Sequence, residues 1–227
     1  MSDLGGVWRT VGGRRIFIKD GEDLATAMKN SGKFGSKKEE IKEIKEYKEE
    51  KDFKNENENL LYENQIDKLN DTANEAAIKE YTGYTGIGSY ENINKYLNDK
   101  IQLSDYQKNI VEKNIKLIDE SIKQETKNEF YTYRGIAINE NEISVGDEII
   151  NKGFTSTSVS KEIAQDFANN YNGSLIQVEV PKGTKALYIG SHSGSGFNEE
   201  ELLFGRNSKI IIIKKNEKGI FGRLVYE

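Results

Sequence analysis

Two glutamates near the carboxyl end of the sequence are the first candidates for chemistry. Glu199 and Glu201 precede the apolar run Leu202-Leu203-Phe204. If strand geometry begins there, its period of two places both carboxylates on one side, about 6.5–7 Å apart at Cα. Two carboxylates at that spacing can divide labour, one stabilising a cation and the other accepting a proton. The alternative is an acidic turn that only opens a strand.

A run of hydroxyl side chains is the second candidate. In the segment from Phe154 to Ser158, Ser156 and Ser158 share one side of a predicted strand and Thr157 faces the other. Such hydroxyls can orient a neighbouring carboxylate by hydrogen bonding. A serine nucleophile would need His192 as its base, and that residue lies in a Ser/Gly-rich loop without an obvious orienting partner. The alternative is a Ser/Thr-rich edge strand.

The third candidate is Arg134, a lone arginine in the aromatic segment Phe130–Ile138. A guanidinium can hold two phosphate oxygens as a fork, and the following Gly135 allows a ligand to approach the backbone closely. An internal ion pair with a carboxylate is the alternative.

Composition narrows the chemistry further. The 227 residues include no cysteine and a single histidine, which excludes thiolate nucleophiles, cysteine zinc sites and zinc centres with several imidazoles. Lys and Arg number 33 against 38 Asp and Glu, a net charge of −5, so the chain lacks the basic field that holds nucleic acid or anionic membranes. We therefore expect no metal, no nucleic-acid partner and no membrane association.

The elements that must position these residues change type along the chain. Helical periodicity and caps predict helices from Thr72 to Tyr81, after Ser89 and after Ser104, and a later one from Ser160 to Tyr171 ended by Asn172-Gly173. In this last helix Ile163, Phe167 and Tyr171 share a face. Helices followed by strands indicate an α+β fold. The predicted strands cover residues 130–138, 153–158, 174–180, 185–190, 200–204, 209–215 and 222–227.

The order of the three candidates is more specific than any one of them. An arginine on a strand, then Gly-Phe-Thr-Ser-Thr-Ser, then a glycine-rich loop leading into Glu-x-Glu resembles the catalytic skeleton of bacterial ADP-ribosyltransferase exotoxins of the arginine, STS and ExE class. Within that family the sequence is similar to actin-modifying binary-toxin catalytic subunits. The resemblance runs from about Leu69 to Glu227 and includes Tyr81-Thr82 and residues 90–97. It implies a mixed α/β fold with N-terminal helices packed on a two-sheet β-core.

The resemblance also implies roles in handling NAD as a substrate. Arg134 would hold the pyrophosphate and the backbone of Gly135 would meet the nicotinamide carboxamide. Ser156 would orient Glu201, with Thr157 and Ser158 supporting that strand. Glu201 would bind the ribose 2′-hydroxyl and stabilise the oxocarbenium ion.

Other residues would complete the NAD site and select the target. The family likeness places Asn94 and Phe167 at the NAD site. Relatives often carry an arginine just after the aromatic position, where Asn169 and Asn170 stand here. Glu199 would position and deprotonate the acceptor. The loop from Gly190 to Asn198 would select the target, with Phe197 and His192 as recognition residues.

The resulting prediction is a mono-ADP-ribosyltransferase that modifies arginine, because Glu199 stands where asparagine-modifying relatives carry glutamine. An NAD glycohydrolase and a phage head-associated structural protein without catalysis are the alternatives. Actin, a GTPase, a bacterial host protein or the enzyme itself remain open as the target.

The amino-terminal part of the sequence is predicted to lie outside the catalytic domain. We interpret residues 1–35 as an arm, 36–68 as a charged helical linker and 69–227 as the catalytic domain. The arm resembles segments that accompany phage head-morphogenesis proteins, which suggests virion head proteins as partners. Its residues Trp8–Val11 and Arg14–Ile18 predict a hairpin. With no signal peptide visible, we expect a location in the cytoplasm of the producing cell, or delivery with a virion or by a non-classical route.

Overall fold

The computed structural model describes residues 6–11, 14–19 and 72–226. The predicted amino-terminal hairpin is confirmed: strands β1 (Gly6–Val11) and β2 (Arg14–Lys19) pair antiparallel, with Trp8 opposite Phe17. The predicted charged linker, residues 36–68, lies outside the described residues.

Three helices precede the main sheet, as the caps predict. They are α1 (Thr72–Thr82), α2 (Tyr90–Leu97) and α3 (Asp105–Ser121). Ser104 and Gln107 form a complete capping box at the start of α3, which satisfies two backbone N–H groups that would otherwise lack partners. Ser89 occupies the N-cap position of α2, but its side chain makes no capping hydrogen bond.

Among the described residues the main sheet has nine strands: β3 (Gln124–Glu125), β4 (Phe130–Ile136), β5 (Glu148–Asn151), β6 (Thr155–Ser158), β7 (Ser174–Val180), β8 (Lys185–Tyr188), β9 (Glu201–Phe204), β10 (Ser208–Asn216) and β11 (Gly219–Tyr226). Their order in the sheet is β3-β8-β9-β6-β4-β7-β11-β10-β5. Two short strands, β3 and β5, are absent from the sequence prediction.

The predicted two-sheet core corresponds to two halves of this sheet. A four-stranded half (β3-β8-β9-β6) meets a five-stranded half (β4-β7-β11-β10-β5) at one recorded residue pair, Tyr133 with Ser158. One apolar core, which includes Ile176, Val178 and Phe204, draws side chains from both halves. A second core packs helices α1–α3 on the four-stranded half and includes Leu203. The helices and the five-stranded half thus cover opposite faces of β9, because successive side chains of a strand point to opposite faces.

Helix α4 (Lys161–Asn170) packs on β4 through small residues. A Cβ atom on Gly135 would lie 2.5 Å from the carbonyl oxygen of Ala164 and 2.6 Å from the amide nitrogen of Ala168. Both alanines are buried, whereas Phe167 and Tyr171 are exposed. The shared face of Ile163, Phe167 and Tyr171 is therefore not the buried one, because only small side chains allow this close approach.

In the part of the chain that the structure describes, no helix is long and apolar enough to span a bilayer. Within the same residues, no group of three or more His, Cys, Asp or Glu side chains is arranged to hold a metal ion.

Candidate active site

The candidate site lies at the seam, the junction where β4 of the five-stranded half meets β6 of the four-stranded half. The two strands pair antiparallel at Tyr133 and Ser158, but this pairing does not continue along them. Instead, the Arg134 guanidinium donates a hydrogen bond to the backbone carbonyl oxygen of Ser156. Burial lowers the pKa of Arg134, but a guanidinium is not deprotonated in proteins, so the side chain keeps its charge. The seam therefore holds a fixed positive charge.

Glu201 is the first residue of β9 and pairs with Ser158 across the neighbouring strand. Its side chain is only 7% exposed. Burial raises the pKa of Glu201 to about 7, and the negative charge of Glu199 adds to the rise. A hydrogen bond from Ser156 and the positive charge of Arg134 act in the opposite direction, since both favour the carboxylate. Arg134, Ser156 and Glu201 are thus brought together, as the sequence predicts.

The hydroxyls of β6 alternate as predicted. Ser156 pairs with Leu203, whose side chain belongs to the helix-facing core, so Ser156 and Ser158 share the face of Glu201. Thr157 is on the opposite face, where its hydroxyl donates to the carbonyl oxygen of Leu202 at 3.2 Å. Thr157 therefore ties β6 to β9 and makes its hydrogen bond on the face away from Glu201.

The two glutamates are not arranged by a simple strand period. The strand begins at Glu201, and Glu200 has a φ of +45°, in the left-handed region. The condition for placing both carboxylates on one side, extended geometry from Glu199 onwards, is therefore not met, and the strand predicted for residues 200–204 begins one residue later. Backbone contacts fix the turn instead: the Ser158 hydroxyl donates to the carbonyl oxygen of Glu199 at 2.8 Å, and the amide of Val159 donates to that of Glu200 at 3.1 Å.

Glu199 has a different environment from Glu201. It is partly buried, and this burial raises the pKa of Glu199 above its ordinary value. The Tyr84 hydroxyl donates to the Glu199 carboxylate at 3.5 Å, which favours ionisation. No sequence pattern assigns a role to Tyr84, although it lies in the glycine-rich segment after α1, where an irregular turn is expected beside the site.

Tyr81 is a second residue whose contribution the sequence did not reveal. It is buried beside Phe154, with the two rings edge to face at 5.6 Å. Burial and the nearby charge of Glu201 raise the pKa of Tyr81, so its phenol stays protonated. Asn94, predicted at the NAD site, donates to the Tyr81 hydroxyl at 3.4 Å and accepts from the amide of Phe154 at 3.2 Å. Asn94 therefore links α2 to the start of β6.

The predicted target loop connects β8 to β9. Phe197 is 68% exposed, as a recognition residue should be. His192 instead lies beside α1, with its Nδ1 atom 3.8 Å from a carboxylate oxygen of Glu75. Phe167, predicted to pack on nicotinamide, is 49% exposed and its ring centroid lies 5.2 Å from that of Tyr171.

These features define a class of protein: helices over a split sheet, with an arginine, a serine and a buried glutamate at the seam and a second glutamate beside them. Residues 39–223 match the family described as ADP-ribosyltransferase exoenzyme. The chain belongs to this family, whose members take ADP-ribose from NAD as a substrate.

Individual relatives agree with this assignment. The chain is 34% identical over 144 residues, 60% of its length, to the NAD(+)–arginine ADP-ribosyltransferase EFV of Enterococcus faecalis. That stretch spans only 28% of the relative.

Solved structures show the same fold. C3stau2 from S. aureus, solved with NAD, has a TM-score of 0.53 at 18% identity, covering 79% of this chain and 100% of that one. Plx2a, an ADP-ribosyltransferase toxin from Paenibacillus larvae, has a TM-score of 0.51 at 21% identity, covering 72% and 92%.

Proposed function

We propose that this protein transfers ADP-ribose from NAD to arginine side chains of a protein target. The observation that carries the proposal is the contrast between two neighbouring carboxylates. Glu201 is buried at the seam beside Arg134 and Ser156, whereas Glu199 is less buried and precedes the left-handed turn at Glu200. Groups so placed suit two different steps of one reaction.

The first step is cleavage of the bond between ribose C1′ and nicotinamide. The bonding electrons leave with neutral nicotinamide, and positive charge develops on the ribose. An ionised Glu201 lowers the barrier by stabilising that charge in a site from which water is largely excluded. Arg134 supplies the charge that binds the pyrophosphate, since a guanidinium matches the geometry of phosphate oxygens.

The second step is attack by the acceptor. An arginine side chain is protonated at pH 7 and has no free electron pair to donate. Glu199 takes one proton from the guanidinium, and the freed nitrogen forms the new bond to C1′. Water in place of the guanidine would give ADP-ribose, which is the glycohydrolase reaction.

Support for arginine as the acceptor comes from two sources. The Enterococcus faecalis relative is an arginine-specific ADP-ribosyltransferase by name, and the residue at 199 is a glutamate rather than a glutamine. Actin, a GTPase, a bacterial host protein and the enzyme itself are the candidate targets, and mass spectrometry of treated bacterial and eukaryotic lysates distinguishes them.

The proposal is tested with labelled NAD and two acceptors, agmatine and polyarginine. We expect label on both acceptors, and we expect Glu199→Gln to reduce transfer by about a hundredfold while nicotinamide release continues, as removal of a general base does. Glu200→Gln removes the same charge one residue away and should leave transfer within about twofold of wild type, because Glu200 is assigned no proton transfer. Release of nicotinamide and free ADP-ribose without labelled acceptor would refute arginine transfer, and loss of neither activity in Glu201→Gln would refute the catalytic site.

A further inference from the structure

The end of helix α1 is joined to the predicted target loop by a short, partly buried contact. Thr82, the last residue of α1, is 9% exposed. Its hydroxyl oxygen accepts a hydrogen bond from the backbone amide of Gly194 at 2.6 Å and donates to the carbonyl oxygen of Ile78 at 2.9 Å. The contact spans 112 positions of sequence, so it ties together two elements that the chain itself does not hold close.

Gly194 makes this contact from the side of the loop. A Cβ atom at position 194 would lie 1.8 Å from the carbonyl oxygen of Lys79. Real Cβ atoms do not approach backbone that closely, and a backbone oxygen of a helix cannot move aside. Glycine at this position therefore allows the loop to lie directly against the last turn of α1.

Further hydrogen bonds hold the part of the loop that lies beyond Gly194. Beyond Gly194, the Ser195 hydroxyl accepts from the amide of Phe197 at 3.2 Å, which orders the turn that exposes the aromatic ring. The far end is held by the Ser158 hydroxyl on the carbonyl oxygen of Glu199. Tyr84, two residues after Thr82, reaches the Glu199 carboxylate. The carboxyl end of α1 thus leads to contacts with both ends of the segment between Gly194 and Glu199.

We propose that Thr82 and Gly194 clamp the loop from Gly190 to Asn198 onto α1, and that Thr82 is a positioning residue for the protein acceptor. The inference rests on the proposed function in assigning this loop and Glu199 to the acceptor. Its consequence is a separation of two activities. The groups that cleave NAD are held on β4, β6 and β9 by contacts that do not include the clamp, so loosening it weakens transfer and spares hydrolysis.

The test compares three variants with the wild type. Thr82→Val keeps the shape of the side chain and removes the hydroxyl, Thr82→Ser keeps the hydroxyl, and Gly194→Ala attacks the contact from the loop. Loss of one intramolecular hydrogen bond shifts an equilibrium by about two- to tenfold. We therefore expect Thr82→Val to lower the ratio of transfer to hydrolysis by about that factor, through a higher KM for polyarginine.

The other variants sharpen the result. Thr82→Ser should restore the ratio of transfer to hydrolysis, and Gly194→Ala should lower it at least as far as Thr82→Val. Nicotinamide release should stay within about twofold of wild type in Thr82→Val, as expected of a residue that does not touch the reacting atoms. An equal fall in both activities, or no change in either, would overturn the clamp.

Amide hydrogen exchange measures the clamp without any acceptor. The Gly194 amide should exchange slowly in the wild type and Thr82→Ser, and faster in Thr82→Val, because its acceptor is gone. Equal exchange of the Gly194 amide in all three proteins would refute the clamp but leave the proposed function standing. A wild type that releases nicotinamide but labels no acceptor refutes the proposed function, and the clamp's role in transfer fails with it.

Discussion

The rate of NAD cleavage should rise with pH because Glu201, to which we assign the stabilisation of the reacting ribose, is buried. The pKa of Glu201 is raised from an ordinary 4.5 to about 7, and only the ionised form can stabilise positive charge. For such a pKa, the ionised fraction is about a tenth at pH 6, a half at pH 7 and nine-tenths at pH 8. We therefore expect kcat/KM for NAD to increase about tenfold between pH 6 and pH 8 and then to level off.

The assay is nicotinamide release at NAD concentrations far below KM, because kcat/KM reports the ionisation of the free enzyme. Three variants test whether this midpoint reports the ionisation of Glu201. Ser156→Ala removes a hydrogen bond that lowers the pKa of Glu201, so its midpoint should move to higher pH. Glu199→Gln removes a negative charge that raises the same pKa, so its midpoint should move to lower pH.

Ser158→Ala is the matched control for this series. Its hydroxyl is on the same face of β6 as that of Ser156, but it donates to a backbone carbonyl oxygen rather than to the Glu201 carboxylate. The midpoint of this variant should equal that of the wild type. A rate that is flat between pH 6 and pH 8, or a Ser156→Ala midpoint at lower pH, would refute the reasoning.

Four further predictions follow from the same structure. Glu201→Gln should stabilise the protein at pH 8 but not below pH 4.5. Between pH 4.5 and about 7 the folded wild type retains a proton on Glu201 that the unfolded state releases. The wild type therefore loses up to about 3 kcal/mol of folding stability across that range, which is measurable as Tm against pH. Arg134→Lys should raise KM for NAD about tenfold, because an ammonium lacks the guanidinium fork; an unchanged KM in initial-rate assays contradicts this. Gly135→Ala should destabilise the protein by about 1–3 kcal/mol in denaturant unfolding by displacing α4, whereas at Gly205, where the nearest atom to an added Cβ is 3.7 Å away, alanine should cost little. Phe167→Ala should raise KM for NAD with little change in Tm, since the ring is half exposed; a large fall in Tm would show a structural role instead.

The sequence predicted the elements whose signals are local. The capping box at Ser104 depends only on residues three apart, and the alternation of Ser156, Thr157 and Ser158 follows from the strand period. The placement of Arg134 beside Ser156 and Glu201 came from the order of motifs, since no local rule brings residues of three separate strands together.

Where prediction failed, the deciding contacts join distant parts of the chain. Glu200 has left-handed backbone geometry because its neighbours are held in place: Ser158 of β6 binds the carbonyl oxygen of Glu199, and the residue after β8 binds that of Glu201. A strand period cannot reveal these contacts. Helix α4 buries alanines rather than its aromatic residues because it lies so close to Gly135 of β4 that only small side chains fit between the two elements. The short strands β3 and β5 form by pairing with β8 and β10, which their own few residues do not indicate.

The seam has a mechanical consequence. Apolar packing holds the two halves of the sheet together, but because it is non-directional it does little to fix their relative orientation. In the described part of the chain, the strands of the two halves pair at only Tyr133 and Ser158. The side-chain tie beside that pair is the Arg134 guanidinium on the carbonyl oxygen of Ser156. A guanidinium has five N–H donors, so the arginine that latches the halves together keeps donors for a phosphate. Under the proposed function, substrate binding and the cohesion of the sheet depend on this one side chain, and we expect NAD to hold the two halves together across the seam.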